Sequence, residues 1–288
     1  MDYRKRFQVV PGRRVALREF DPGDTAGLRD KVKARERLEA GIARLGQAQE
    51  RLYAQDTRAL LIILQAMDAA GKDSTIKHVM SGVNPQGVQV HSFKAPSQEE
   101  LDHDYLWRSA RALPERGRIG IHNRSYYEEV LVTRVHPEIL LRERVPGLKP
   151  SKTLWKQRFR EINHFEQYLA ANGVTIVKFF LHVSKGEQRR RLLERLEEPE
   201  KGWKFDARDL VERQCWDEYQ SAYTKLLEAT NTEQAPWYVI PADHKWFTRL
   251  AVADILCDTL DDLKLRFPSV SPAELKTREK FKRALQRE

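Results

Sequence analysis

The stretch LLIILQAMDAAGKDSTIKHVM, residues 60–80, has the pattern of a buried strand followed by a tight turn and the start of a helix. A short apolar run bounded by a turn is typical of a strand in a parallel sheet. The turn is related to the phosphate-binding pattern G-x-x-x-x-G-K-[ST], but only Gly71 and Lys72 match its fixed positions. Ala66 and Asp73 occupy the other two. An ordinary strand-to-helix turn that contains Gly-Lys by chance is the alternative interpretation.

The turn has the chemistry of an anion site. Small residues let a phosphate approach the main chain, whose N–H groups face the anion together with the N-terminus of the following helix. Lys72 would add a point charge, and the hydroxyl of Ser74 or Thr75 would fill the role that Asp73 cannot. The residues predicted to cradle phosphate are Ala69, Ala70, Gly71, Lys72, Asp73, Ser74 and Thr75.

Asp68 lies in the same turn, where its carboxylate would repel a bound phosphate unless a cation stood between them. Mg²⁺ binds carboxylate and phosphate oxygens together. Asp68 is therefore predicted to be a metal ligand or a base, with Mg²⁺ as the cofactor. Asp73 carries less weight, because acidic residues are favoured in the first turn of any helix.

The rest of the chain alternates strand-like runs with helical patterns, which indicates an α/β fold with a mostly parallel sheet covered by helices. The predicted strands are residues 59–64, 88–93, 118–122, 175–183 and 237–241. The predicted helices are residues 31–53 and 151–171, with a solvated helix in the tail at 276–288. The first 27 residues contain prolines and glycines and are predicted to be irregular.

A second motif, IGIHNRSYYEEVLVTRVHP, spans residues 119–137 and begins on a predicted strand. Open α/β sheets bind ligands at the carboxyl ends of their strands. Arginines here could grip phosphate oxygens, and carboxylates could reach a metal. A surface array of ion pairs is the alternative, since Arg and Glu at helical spacing often form one. The candidate residues are Asn123, Arg124, Glu128, Glu129 and Arg134.

Charge and composition limit the classes of partner that the protein could bind. The 288 residues carry a formal net charge of +9 and a pI near 9.5. Residues 104–160 hold 13 Lys and Arg against 6 Asp and Glu, a local excess of +7. Nucleic acid, an anionic membrane surface and a phosphate polymer would all be attracted to this segment, and a solvated helix face explains it equally well. No run approaches the ~18 apolar residues of a membrane span, no signal sequence is visible, and two scattered cysteines fit a cytoplasmic protein.

Four motifs in order resemble those of the family-2 polyphosphate kinases over roughly residues 55–260. They are LQAMDAAGKDSTIKHVMSGVNPQGV, HNRSYYEEVLVTRVHP, FFLHVSKGEQRRRLLERLEEPEKGWKF and APWYVIPADHKWF. Within the family, the chain is most similar to the class that accepts both nucleoside mono- and diphosphates.

The resemblance implies a three-layer P-loop kinase fold like that of thymidylate kinase, with a parallel sheet, a helical lid and an N-terminal extension. The implied divisions are an extension and packed helix at 1–54, a kinase domain at 55–265 with a lid at about 184–219, and a tail at 266–288. It implies Mg²⁺-dependent, reversible phosphoryl transfer between inorganic polyphosphate and adenine nucleotides, with guanine nucleotides as further candidates. It also implies an oligomer, a homotetramer. From the residues themselves we expect a cytoplasmic protein that binds neither membrane nor nucleic acid.

Position by position, Asp68 and Lys72 match the family's phosphate-loop acid and lysine, and Arg124 and Arg134 match its phosphate-binding arginines. Much of the family has Asp at the place of Asn123 and Asn at the place of Glu128, so the amide and the acid are exchanged here. The departures from the most similar class are Glu129 for Asp, Tyr126 for His and Ser74 for Gly.

The resemblance also implies roles for the lid. Lys204 and the run Arg189–Arg191 are placed to cover a phosphate chain when the lid closes. The tryptophans are expected to pack in the core rather than stack on a base; these are Trp203, Trp216, Trp237 and Trp246.

Two other functions compete with this one. An ATP-dependent kinase of a small metabolite or nucleotide would use the same fold, because a fold does not determine a substrate. A nucleic-acid-binding module would use the basic segment, but the usual recognition motifs are missing and such a module would not need Asp68 in its anion loop.

Overall fold

A computed structural model describes residues 2–288. Its centre is one sheet of five parallel strands in the order β2-β3-β1-β4-β5. The strands are β1 (Ala59–Ala66), β2 (Val88–Ser92), β3 (Ile119–Asn123), β4 (Val174–His182) and β5 (Trp237–Pro241). The five predicted strands are confirmed, each within two residues of its observed ends.

Helices connect the strands. They are α1 (Tyr3–Phe7), α2 (Lys31–Gln55), α3 (Lys72–Val79), α4 (Gln98–Leu101), α5 (Trp107–Arg111), α6 (Glu128–Val135), α7 (Pro137–Leu140), α8 (Lys152–Ala171), α9 (Lys185–Glu197), α10 (Arg208–Gln214), α11 (Trp216–Thr230), α12 (Lys245–Asp262) and α13 (Pro272–Leu285). The predicted helices at 31–53 and 151–171 are confirmed as α2 and α8. The tail helix starts earlier than predicted, because Ser271 and Glu274 form a capping box at its N-terminus.

The helices cover both faces of the sheet. On one face α12 packs against α2 and α3, and on the other α11 packs against α6 and α8. Strand β1 lies in the middle, where Leu60–Leu64 are at most 2% exposed. This three-layer arrangement around a parallel sheet is the predicted P-loop kinase fold. No helix within residues 2–288 is both long and apolar enough to cross a bilayer.

The N-terminal segment is more ordered than its composition indicates. Tyr3 and Phe7 on α1 are 1% and 3% exposed, and both rings contact Phe247 edge-on at 5.5 and 5.9 Å. The prediction of irregular structure was therefore wrong at this point. A five-residue helix has too few turns to show a periodic pattern, and its stability comes from the tertiary contacts of its aromatic face.

The tryptophans follow the core prediction with one exception. Trp216 and Trp237 are buried, and Trp246 packs against the core while half-buried. Trp203 is 79% exposed, so its predicted core packing was wrong. It lies in the 3-10 turn Pro199–Lys204, which follows α9 and packs against it while leaving this ring exposed.

Candidate active site

The turn after β1 has a main-chain shape that separates its carbonyl groups from its N–H groups. Ala69 and Gly71 have φ angles of 58° and 108°, in the left-handed region, and α3 begins directly after Gly71. Reversals of this kind make successive N–H groups converge on one side of a loop. The carbonyls of residues 68–70 accept hydrogen bonds from side chains of α9, and that of Gly71 accepts from Thr75.

The N–H groups of the turn are available to a ligand. Among residues 69–75, five N–H groups have no hydrogen-bond acceptor within residues 2–288, whereas those of Ala70 and Thr75 donate to the Met67 and Gly71 carbonyls. The five are those of Ala69, Gly71, Lys72, Asp73 and Ser74. A row of unpaired N–H groups at a helix N-terminus is a ready anion site.

Lys72 lies at the start of α3 and is half-buried. Its Nζ donates to the Ala66 carbonyl at 3.2 Å, so the side chain folds back beneath the turn. Burial lowers the pKa of Lys72, with a further contribution from the Arg124 guanidinium, and the Asp68 and Glu128 carboxylates oppose this shift. A phosphate beside Lys72 would favour the ammonium form and oppose this lowering of the pKa.

The two predicted motifs meet at Arg124. Its Nη2 donates to Asp68 Oδ1 at 3.0 Å, and its Nη1 lies 3.6 Å from Glu128 Oε2. Arg124 has a φ of 64°, which is costly for a residue with a side chain, and its N–H donates to the Leu64 carbonyl at the end of β1. The structure therefore brings Asp68, Arg124 and Glu128 together at the carboxyl edge of β1 and β3.

Glu129 does not join this group. It is 6% exposed and accepts from Arg108 at 3.2 Å, and Arg158 approaches it to 3.7 Å. Burial raises the pKa of Glu129 to about 7, with Arg108 opposing the shift. Of the two carboxylates predicted to bind metal from α6, that of Glu128 lies beside Arg124, whereas that of Glu129 anchors α6 to the neighbouring α5 and α8. Their metal roles stay predictions.

Three other predicted residues make hydrogen bonds in or around the loop. Asn123 donates to Asp73 Oδ1 at 2.6 Å, which ties β3 to the start of α3. Ser74 Oγ accepts from Arg249 at 2.7 Å. Thr75 is buried and donates its hydroxyl to the Gly71 carbonyl at 3.0 Å. Of the two hydroxyls, that of Thr75 is the one bonded to the loop's own main chain.

Arg134 and Lys204 lie apart from the carboxylate group. The Arg134 guanidinium is at the far end of α6, 5.8 Å from the ring centre of Trp155, and burial lowers its pKa. The exposed Lys204 has its ammonium 5.0 Å from the ring centre of Trp203, on the lid. Their predicted phosphate contacts stay predictions, since neither touches Asp68, Arg124 or Glu128 in this conformation.

The residue patterns missed several contacts of the site. Gln65, a buried amide on β1, donates to Glu128 Oε1 at 2.8 Å. The sequence feature that could have revealed Gln65 is a polar residue inside an otherwise apolar strand. Gln188 and Arg191 reach the loop from α9, and in the sequence they are indistinguishable from other polar residues of the lid.

The donor set fits Mg²⁺ if phosphate completes it. Asp68 and Glu128 offer hard oxygen donors, and both carboxylates lie against the Arg124 guanidinium, at 3.0 and 3.6 Å from its two terminal nitrogens. Within residues 2–288, no group of three or more His, Cys, Asp or Glu side chains could hold a metal ion without help. Mg²⁺ commonly uses one or two carboxylates plus phosphate oxygens and water, so two carboxylates suffice.

Known proteins that are similar to this chain in sequence include polyphosphate phosphotransferases. A profile of the polyphosphate kinase 2 family matches residues 28–268. An ADP-polyphosphate phosphotransferase of Rhodopseudomonas palustris is 52% identical over 273 residues, 94% of each chain. An AMP/ADP-polyphosphate phosphotransferase of Meiothermus ruber is 47% identical over 273 residues, 94% of this chain and 98% of the relative.

A solved structure agrees with the sequence relatives. The crystal structure of polyphosphate kinase 2 from Arthrobacter aurescens TC1 matches with a TM-score of 0.87 at 40% identity, covering 94% of this chain and 93% of that one. The family profile and these full-length matches, together with the phosphate loop and its carboxylates, identify the chain as a member of the polyphosphate kinase 2 family of phosphotransferases.

Proposed function

We propose that this enzyme transfers phosphoryl groups between inorganic polyphosphate and adenine nucleotides, with both AMP and ADP as acceptors and Mg²⁺ as cofactor. The observation that carries the proposal is the meeting of five unpaired loop N–H groups with the Asp68–Arg124–Glu128 group at one sheet edge. The names of the two relatives support the acceptors, since one is named for ADP and the other for AMP and ADP.

The site suits a reaction that depends on alignment and charge. Phosphoryl transfer asks little covalent chemistry of the protein, because the attacking phosphate oxygen is already anionic. The loop N–H groups would hold one phosphoryl group, and Lys72 would neutralise part of its charge. Arg124, released from its carboxylate partners, would bind the phosphate on the other side of the transferring group.

Asp68 and Glu128 would hold Mg²⁺ between the two substrates. When bound, the ion would neutralise negative charge on the phosphate oxygens. In the present structure the two carboxylates pair with Arg124 instead, and holding the ion would free that guanidinium for phosphate. Gln65 would keep the Glu128 carboxylate turned toward the site through its hydrogen bond.

Nucleotide formation tests the proposal. The enzyme would be incubated with long-chain polyphosphate, Mg²⁺ and either AMP or ADP, and the nucleotides separated. We expect ADP and ATP from AMP, and ATP from ADP. Product from ADP alone would remove AMP as an acceptor, and no product from either acceptor, with a folded enzyme and Mg²⁺ varied, would contradict the proposal and favour an ATP-dependent kinase.

We further propose that the chain forms a homo-oligomer, a tetramer by resemblance, that works in the cytoplasm and also accepts guanine nucleotides. Large apolar side chains exposed on the lid and on α13 support an assembly, because surfaces of this kind often mark protein contacts. They include Leu196, Trp203, Leu210, Leu275 and Phe281. Light scattering would give the assembly size, and a monomer would contradict this part.

A further inference from the structure

We infer that Arg191 and Gln188, on the first turns of α9, are positioning residues that hold the phosphate loop in its anion-binding shape. The inference rests on the proposed function for the identity of the anion. It assigns Arg191 a role different from the expected one, in which the run Arg189–Arg191 covers the phosphate chain.

Arg191 uses every donor that it has. Its side chain is buried, and its Nε donates to Glu187 Oε1 at 2.7 Å. Its Nη1 donates to the carbonyls of Ala69 at 3.0 Å and Ala70 at 2.8 Å, and its Nη2 to the carbonyls of Ala242 at 2.6 Å and Asp243 at 3.1 Å. A guanidinium has five N–H donors, so none is left for a phosphate.

Gln188 completes the attachment. It is 1% exposed, and its Nε2 donates to the Asp68 carbonyl at 3.0 Å. Its Oε1 accepts from Arg213 on α10 at 2.8 Å, and the same arginine nitrogen donates to the Lys185 carbonyl. A continuous chain of hydrogen bonds therefore runs from Arg213 on α10 through Gln188 to the main chain of Asp68.

The direction of the loop carbonyls determines the direction of its N–H groups. In a trans peptide unit the C=O and the N–H point in opposite directions. Because the carbonyls of residues 68–70 point at α9, the N–H groups of the residues that follow them turn away from it. Among these are the N–H groups of Ala69 and Gly71, which have no acceptor within residues 2–288.

Only the arginine fork fits this position. Its planar donors reach two carbonyls of the loop after β1 and two carbonyls of the loop after β5 at the same time. A lysine keeps the charge but has three N–H donors on one nitrogen, too few for the four carbonyls and the Glu187 carboxylate that Arg191 binds. Without the bridge, buried carbonyls lose their partners and the loop relaxes to shapes that expose them to water.

The test is the binding of inorganic tripolyphosphate to the full chain, measured by calorimetry without nucleotide or added metal. We expect Arg191→Lys and Arg191→Gln to bind about tenfold more weakly than the wild type, the equivalent of one lost hydrogen-bonding arrangement. Gln188→Leu, which removes one loop contact, should lose about threefold. Arg44→Gln is the control, because it removes an equal charge from the ion pairs between α2 and α12. It should bind like the wild type.

Wild-type affinity in Arg191→Lys would overturn the inference, because the charge alone would then suffice. If the Arg191 variants do not fold, Gln188→Leu decides, and unchanged affinity there would also overturn it. The assay needs no turnover. A wild type that binds tripolyphosphate but forms no nucleotide product would contradict the proposed function and leave this inference standing.

Discussion

Lys72 is the residue whose role follows most directly from its surroundings. Within residues 2–288 its ammonium group makes one hydrogen bond, to the Ala66 carbonyl, and its main chain lies among the unpaired N–H groups of the loop. Lys72→Gln should therefore lower the transfer rate by about 10² or more, as expected for the loss of a charge aimed at the transferring phosphate, with little change in stability. Initial rates of ATP formation from ADP measure this.

Lys77→Gln is the matched control for that prediction. Lys77 lies on the same helix, is exposed and belongs to no ion pair within residues 2–288. It should keep a rate close to that of the wild type. Equal rates for the two variants would contradict the role of Lys72.

The positions of single site residues were predictable where those residues directly follow a predicted strand. Asp68 and Arg124 each follow a buried strand by a few residues, so parallel pairing of β1 and β3 brings them together. Glu128 and Glu129 are adjacent at the start of α6 and point about 100° apart, as consecutive residues of a helix do. Which one faces the site depends on Arg108 and Arg158, whose positions no local pattern reveals.

At the scale of elements, a buried charged network holds the turn between β3 and α6. Lys178 on β4 is 0% exposed and donates to Glu166 on α8 at 2.6 Å. Glu166 also accepts from the hydroxyls of Tyr126 and Tyr127 at 2.8 and 2.7 Å. These tyrosines lie between Arg124 and Glu128, so the network fixes the core side of the turn that presents both.

Lys178→Met should destabilise the protein by about 3 kcal/mol or more, because it leaves the Glu166 carboxylate buried without its cation. The double variant Lys178→Met/Glu166→Gln should recover part of this loss, since a neutral amide still accepts from both tyrosines. Equilibrium unfolding in urea compares them. A single variant no less stable than the double would contradict the account.

The elements were predictable because their apolar patterns are long. Strand β4 shows why the network was not: its Lys178 lies in an apolar run, where a snorkelling or edge position is the usual explanation. The partner Glu166 looks like a solvent-facing residue of an amphipathic helix. The ion pair between Lys178 and Glu166 becomes visible only when α8 packs on β4.

At the scale of the whole molecule, the basic excess of residues 104–160 is not one surface patch. Arg108 and Arg158 are 7% and 3% exposed and form ion pairs with Glu129 and Glu143. The charge count was correct, but a count along the chain cannot separate internal ion pairs from surface charge. The remaining exposed arginines and lysines of the segment are the ones able to attract a polyanion.

Buried histidines should make the protein sensitive to acid. His122 on β3 is 0% exposed; its Nε2 lies 3.0 Å from the Ala112 carbonyl, and its Nδ1 is buried without a partner. Burial lowers its pKa to about 4. Between this value and about 6.5 the unfolded chain binds the proton and the folded one does not, so stability falls as the pH falls through that window.

From pH 7 to pH 5, the wild type should lose about 2 kcal/mol more of its free energy of unfolding than His122→Gln, which can keep the bond to Ala112. Urea unfolding at both pH values gives the difference. His182, whose pKa burial also lowers to about 4, is present in both proteins and cancels. Equal losses in the two proteins would show that folding does not lower the pKa of His122 and would contradict the prediction.

The central claim is that the Asp68 carboxylate, in a loop built for phosphate, is required for transfer from polyphosphate. The most direct measurement is ATP formation from ADP and polyphosphate by Asp68→Asn, alongside thermal unfolding. The amide has the same shape and can still accept from Arg124, so the fold should persist while the rate falls by about 10³ or more. Asp258→Asn, which alters a carboxylate paired with Arg44 away from the site, should stay active. A folded Asp68→Asn enzyme with a near wild-type rate would contradict the account.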